Sequence, residues 1–288
     1  MPLAETALLG AIAGFTIFLG LPLARMERVG PRTRVALAML SVGILAFLFV
    51  EVMQHGFAIV EEPVEELGKG QGDLGEAIGY ALMFGIGLFA GLVGLTHFER
   101  RWGRRSAQAL PPIAGGAAEA LASPHSEALA AFEVASARAK ALRTGLVIAG
   151  AIGLHNFAEG LAIGVSAKSG EIGLATTLII GFAIHNTTEG FGIVGPLGSV
   201  KPSWRWLFVA GLIGGGPTFV GSIVGYHVTS PALALAFYAL AGGALLYVIG
   251  EIWNGVRRLG HRELAMWFLF AGLMLGLITE LVIEYGSA

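Results

Sequence analysis

The sequence predicts an all-α polytopic membrane protein of eight transmembrane helices, and three observations lead there. Of its 288 residues 55% are hydrophobic and 13% charged, and the mean hydropathy is +0.74, far from the balance of a water-soluble domain. A helix crosses a bilayer in roughly 20 apolar residues, and such stretches run over 3–24, 35–60, 75–97, 142–166, 172–195, 205–228, 232–256 and 264–284. The charge between them is partitioned: of 18 Lys and Arg, all but Lys69 and Lys168 follow spans 1, 3, 5 or 7. By the positive-inside rule those connections are cytoplasmic and both termini lie outside. One missed or invented helix would scramble this partition. A plasma (inner) membrane is the expected location, with the lipid bilayer as an obligate partner.

Taken in order, span 1 opens with MPLAETALLG, which has no basic segment ahead of the apolar run, so a cleaved signal peptide is not expected. Span 2 carries Glu51 and His55 on its outer half. The acidic segment EEPVEELGKGQGDLGE then sets six carboxylates against Lys69, a negative mouth that would concentrate cations. Span 3 ends in HFERRWGRR. The long connection 98–141 contains LPPIAGGAAEALASP and an Ala-rich stretch, and reads as a flexible cytoplasmic loop with a short helix. Residues 1–97 therefore form a first transmembrane half, 98–141 the loop and 142–288 a second half, within one membrane domain. Glycines four apart, at Gly10/Gly14, Gly87/Gly91, Gly211/Gly215 and Gly272/Gly276, allow close helix packing. Glu251 lies towards the cytoplasmic end of span 7. Glu280 and Glu284 read as interfacial residues near the outer end of span 8.

Spans 2 and 7 each place Glu eight residues after Gly, in GILAFLFVEVMQHG from Gly43 and GALLYVIGEIWNG from Gly243. An inverted repeat would exchange spans 1–3 with 6–8 around a central antiparallel pair, spans 4 and 5. That pair carries the chemistry. LHNFAEGLAIG at 154–164 is answered by IHNTTEGFGI at 184–193. On a helix, residues four apart share a face, so His155 stands beside Glu159 and His185 beside Glu189. Ionisable groups at mid-membrane depth cost several kcal/mol unless partnered or hydrated. With no cysteine in the chain, a metal must be held by nitrogen and oxygen, and imidazole with carboxylate suits zinc, iron, manganese or cobalt. Asn156 and Asn186 are either secondary ligands or donors orienting the carboxylates. The competing reading is an ion-free His–Glu hydrogen-bonded network. A net charge of -2 points to no nucleic-acid partner.

The doubled HNxxEG, the eight spans, the outside termini and the long loop after span 3 resemble the ZIP (Zrt- and Irt-like protein) family of divalent metal transporters. The resemblance implies that spans 4 and 5 supply the transport-site ligands, here His155, Asn156, Glu159, His185, Asn186 and Glu189. Glu51 and His55, four apart on span 2, read as a relay from outside to the central site, and the resemblance points the same way, since family members often have acidic residues there. It implies too that spans 1, 4, 5 and 6 move against 2, 3, 7 and 8. Glu251 is expected as an exit-side carboxylate. Family members commonly carry Pro before each motif Glu, where this chain has Ala158 and Thr188. They often have Glu on span 6, where Thr218 stands, so one principal ion is expected rather than a full two-metal centre. The function expected is transport of a divalent transition metal, zinc first and iron, manganese, cobalt or cadmium after it, into the cytoplasm. The metal is cargo rather than catalyst, the protein is not an enzyme, and a homodimer is one assembly this reading admits. Two other readings stand beside it: an intramembrane metal-dependent hydrolase using the same ligands, and a proton-linked organic solute transporter.

Overall fold

A computed structural model describes residues 1–26, 30–108, 124–170, 172–227, 230–257 and 259–287. Arg28, Arg258 and positions 109–123 of the long connection lie outside the described residues, as do the side chains of Arg104, Arg105, His125 and Glu284. No strand occurs among the described residues. Helix α1 (Leu3–Phe15) leads through α2 (Ile17–Gly20) into a 3-10 turn at Leu21–Arg25. Then come α3 (Pro31–Gly68), α4 (Leu74–Phe89), α5 (Leu95–Gln108), α6 (Pro124–Ser169) and α7 (Ile172–Val194), followed by α8 (Trp204–His227), α9 (Pro231–Arg257) and α10 (Arg262–Ser287). A π turn at Ala90–Gly94 joins α4 to α5. Among the described residues seven stretches are long and apolar enough to cross a membrane by length and composition. Helix α7 lies over the expected fifth span.

Two expectations about connections need revision. The acidic segment after span 2 is not a loop at its start: α3 begins with Pro31 at its first turn and runs 38 residues to Gly68, about 57 Å at 1.5 Å per residue. That exceeds the roughly 30 Å hydrocarbon thickness, so Glu61, Glu62, Glu65 and Glu66 sit on a helical extension. Asp73 then caps α4, its carboxylate accepting from Gly75 N at 2.9 Å. The long connection is likewise narrower than 98–141, because α5 continues to Gln108 and α6 begins at Pro124.

Packing sorts the helices into two groups. Within the first (α1, α2, α6, α7, α8) glycines meet backbone to backbone. A Cβ on Gly14 would stand 2.2 Å from Gly215 O, and one on Gly215 would stand 2.1 Å from Gly14 O. Gly160 faces Gly221 in α8, and Gly190 faces Gly20 in α2, each with Cα within 3.0 Å of the built Cβ. Within the second group (α3, α4, α9, α10), Gly43 meets Gly272 and Gly91 meets Gly243 in the same way. Without Cβ atoms the backbones approach closely, and dispersion contacts replace a hydrophobic drive that lipid cannot supply. Across the boundary the contacts differ. There a built Cβ on Gly195 or Gly255 comes no nearer than 3.7 Å to the facing backbone of Ala38 or Pro196. Side chains such as Met39, Leu45, Ile148, Ile152 and Ile252, all fully buried, fill the shared core.

Candidate metal centre

Helices α6 and α7 run unbroken through both motifs, as expected where Pro is absent. At the position before Glu189, Thr188 Oγ1 donates back to His185 O at 2.6 Å, and the Thr188 carbonyl accepts from Ser41 Oγ of α3 at 2.7 Å. All six motif side chains, His155, Asn156, Glu159, His185, Asn186 and Glu189, are 6% exposed or less. Their helical phase turns them inwards together.

His155, Glu159 and His185 each bring one ligand atom within 4.8 Å of the others. Glu159 Oε1 is the common point, 2.9 Å from His155 Nε2 and 2.6 Å from His185 Nε2. The first contact is out of line for a hydrogen bond, while the second qualifies as one. The two imidazoles lie 6.5 Å apart between ring centres. Glu189 stands slightly apart. His185 pairs across the helices with Glu159 rather than with Glu189 on its own helix, and Glu189 Oε2 accepts from Asn156 Nδ2 at 3.0 Å. Asn156 Nδ2 also donates to Gly214 O of α8, and Asn186 Nδ2 donates to Ala13 O of α1, both at 3.0 Å.

What the side chains leave unsatisfied is the more telling feature. His155 Nδ1 and Nε2, Asn156 Oδ1, Glu159 Oε2, Asn186 Oδ1 and Glu189 Oε1 are buried without a hydrogen-bond partner. Native interiors pair nearly all such atoms, and each orphan costs about 1–3 kcal/mol. Five of the six motif residues contribute at least one. The free atoms are imidazole nitrogens and carboxylate or amide oxygens, the donor set of a borderline divalent ion. Thr218 Oγ1 is another orphan, fully buried on α8.

The other sequence candidates lie on α3, α9 and α10. Glu51 is half-buried and interacts electrostatically with His185, Glu159 and His155. Glu280, read from the sequence as interfacial, is also half-buried and acts on Glu51. His55 is exposed one turn further along α3 and stacks on Tyr238, with ring centres 5.5 Å apart. Glu251 lines a separate cavity of about 570 Å³ with Glu99, Lys140, Thr144, Asn254 and Arg257. Glu99 escaped the sequence reading because it stands among arginines at the end of span 3. Its carboxylate accepts from Thr144 Oγ1 at 2.7 Å and from Tyr247 Oη at 2.8 Å. The signal was present in Tyr247 and Glu251, four apart and so on one face of α9.

Comparison with known proteins agrees in kind. The chain is 32% identical over 150 residues to a zinc transporter ZupT of Clostridium perfringens, covering 49% of this chain and 51% of the relative. It is 36% identical over 139 residues to a zinc transporter GufA of Myxococcus xanthus, covering 46% and 52%. A ZupT of Corynebacterium aurimucosum is 27% identical over 271 residues, or 91% of both chains. The matches to the first two relatives span about half their length. No protein-family model matches. These relatives are named as transporters, not enzymes, and together with the apolar helices they mark this chain as an integral membrane protein. It is a homologue of zinc transporters named ZupT and GufA, and the resemblance to the ZIP family drawn from the doubled motif is borne out by them.

Proposed function

We propose that this chain is a permease that moves divalent transition metal ions, zinc foremost, into the cytoplasm by alternating access. The observation that carries the reading is the set of buried, unpartnered nitrogen and oxygen atoms on His155, Asn156, Glu159, Asn186 and Glu189 around the His155–Glu159–His185 cluster. A cation at the cluster satisfies one nitrogen of His155 and the carboxylate oxygen beside it, whereas an ion-free network leaves these atoms without partners. Iron, manganese, cobalt and cadmium fit the same donors.

Eight spans, with α7 as the fifth, and termini outside complete the topology of one membrane domain. An inverted repeat is supported by paired contacts. Exchanging spans 4 with 5 and 1 with 6 turns the Asn156–Gly214 bond into Asn186–Ala13, and the Gly160–Gly221 contact into Gly190–Gly20. The same exchange relates Gly43–Gly272 to Gly243–Gly91 and pairs Gly14 with Gly215 on its axis. The close glycine contacts all fall inside the two helix groups, which favours one group sliding on the other. An ion attracted by the acidic end of α3 passes Glu51 and Glu280 to the cluster, then leaves by the Glu99–Glu251 cavity. Thr218, with a neutral hydroxyl, leaves one principal ion at the centre.

Metal analysis of purified protein tests this reading. About one ion per chain is expected, lost in His155→Ala/His185→Ala, with uptake into proteoliposomes lost alongside. Retention of metal by the double variant would refute the site. Metal-dependent hydrolysis without uptake would turn the assignment to an enzyme.

A further inference from the structure

Three adjoining cavities at the arginine-bearing end of α3, α9 and α10 lie beside the transport route and share with it only Arg257. One, of about 760 Å³, opens between the starts of α3 and α10 beside Arg32, Thr33, Leu37 and Phe268. A second, of about 450 Å³, lies between the end of α9 and α10, walled by Met39, Trp253, Val256 and Met266 with Arg257 at its rim. A third, of about 620 Å³, follows α10 outward along Met266, Trp267 and Phe270. Arg262, the first residue of α10, lines all three.

The arginines here are unlike those nearby. Arg25, Arg34 and Arg138 each donate to a carbonyl of the 198–202 connection. Arg32, Arg257 and Arg262 are exposed and neither hydrogen-bonded nor ion-paired among the described residues. Within the three cavities one acid, Glu263, stands against them, a net charge of about +2 before any ligand arrives, and Arg257 also borders the cavity of Glu99 and Glu251. Its walls are apolar and continue onto residues that face away from the protein, Trp267 at 72% and Phe270 at 56% exposure. All five tryptophans of the chain, Trp102, Trp204, Trp206, Trp253 and Trp267, lie at this same end of their helices, the depth of the headgroup boundary.

We propose that this cleft binds an anionic glycerophospholipid of the cytoplasmic leaflet. The phosphate sits among Arg262, Arg32 and Arg257, whose planar forks suit phosphate oxygens, and the acyl chains lie along Met266, Trp267 and Phe268. Charge complementarity selects an anionic headgroup, and the apolar walls select a lipid over a soluble anion. Every helix lining the cleft belongs to the α3–α4–α9–α10 group, so the lipid seats that group in the leaflet while the other group moves. The leaflet assignment rests on the topology proposed above.

The full chain, delipidated in detergent, is titrated with phosphatidylglycerol, phosphatidylcholine and glycerol 3-phosphate and read by native mass spectrometry. Saturable retention of phosphatidylglycerol is expected. About fivefold weaker binding is expected for Arg262→Gln and about thirtyfold for Arg32→Gln/Arg262→Gln, at roughly one screened charge contact per arginine. Equal retention of phosphatidylcholine, unchanged affinity in the double variant, or binding of glycerol 3-phosphate as tight as that of the lipid would each overturn the proposal. Should the double variant fail to fold, brominated lipids decide in the unaltered protein. Stronger quenching of tryptophan fluorescence by brominated phosphatidylglycerol than by brominated phosphatidylcholine supports the site, and equal quenching removes it. Zinc retention in the same preparation reports on the transport site separately, and its loss leaves the lipid result standing.

Discussion

The two copies of the HNxxEG string are one pattern in sequence and two different environments in space. On α6, Glu159 gathers both histidines around a single oxygen, 2.9 and 2.6 Å away. On α7, Glu189 meets neither histidine at that range and instead accepts from Asn156. The asparagines diverge as well. Asn156 divides its amide between Glu189 and Gly214, whereas Asn186 donates only to Ala13 among the described partners. The difference teaches that duplication fixes which donors face inward but not which of them converge. Convergence depends on how far one helix has slid along its neighbour, so a shift of the kind alternating access requires could transfer the central role from one carboxylate to the other.

The largest effect should separate the two carboxylates. Glu159→Gln is expected to weaken zinc binding by more than about 100-fold and Glu189→Gln by about 10-fold, by analogy with losing a ligand rather than an outer-shell partner. Equilibrium dialysis with purified protein measures both, and equal losses would erase the asymmetry. A second contrast should show no asymmetry at all. Gly160→Val and Gly190→Val each push a branched side chain into facing backbone, and each should lower stability by about 1–3 kcal/mol, read as thermal unfolding in detergent. A cost confined to one of them would break the symmetric packing.

A smaller effect distinguishes the amides. Asn156→Ala should reduce metal affinity more than Asn186→Ala, since only Asn156 donates to a carboxylate of the motif, Glu189, while the Ala13 carbonyl that Asn186 serves keeps the Thr16 hydroxyl as a donor. Calorimetric titration of both variants reads the difference. The mildest test concerns pH. Protons and metal compete for the same imidazoles and carboxylates, so affinity should fall steadily as pH is lowered. Either His155→Ala or His185→Ala should flatten that dependence. A profile indifferent to both substitutions would place the titrating ligands elsewhere.

Much of this was legible because the bilayer simplifies the code. Long apolar runs leave few alternatives to helices, and His155, Glu159 and His185 stood out because ionisable residues at that depth need a reason. The i, i+4 rule was only half sufficient. It paired His185 with Glu189, while the contact made is across the helices to Glu159, a matter of axial offset that no spacing encodes. Glu280 and Glu99 were missed for a related reason. What distinguishes each is a neighbour on another helix, Glu51 in one case and Tyr247 with Thr144 in the other. The extent of α3 beyond the hydrocarbon was hidden by Pro63, which reads as a helix breaker yet lies inside the helix.

The hydroxyl of Ser41, donated to the Thr188 carbonyl across the boundary between the two helix groups, carries a mechanical consequence. It lies where water is scarce, so a displacement that parts the two atoms gives up the bond across the boundary and leaves the hydroxyl to the Leu37 carbonyl of its own helix. That makes it a source of friction, felt in the activation enthalpy of turnover rather than in how tightly cargo is held.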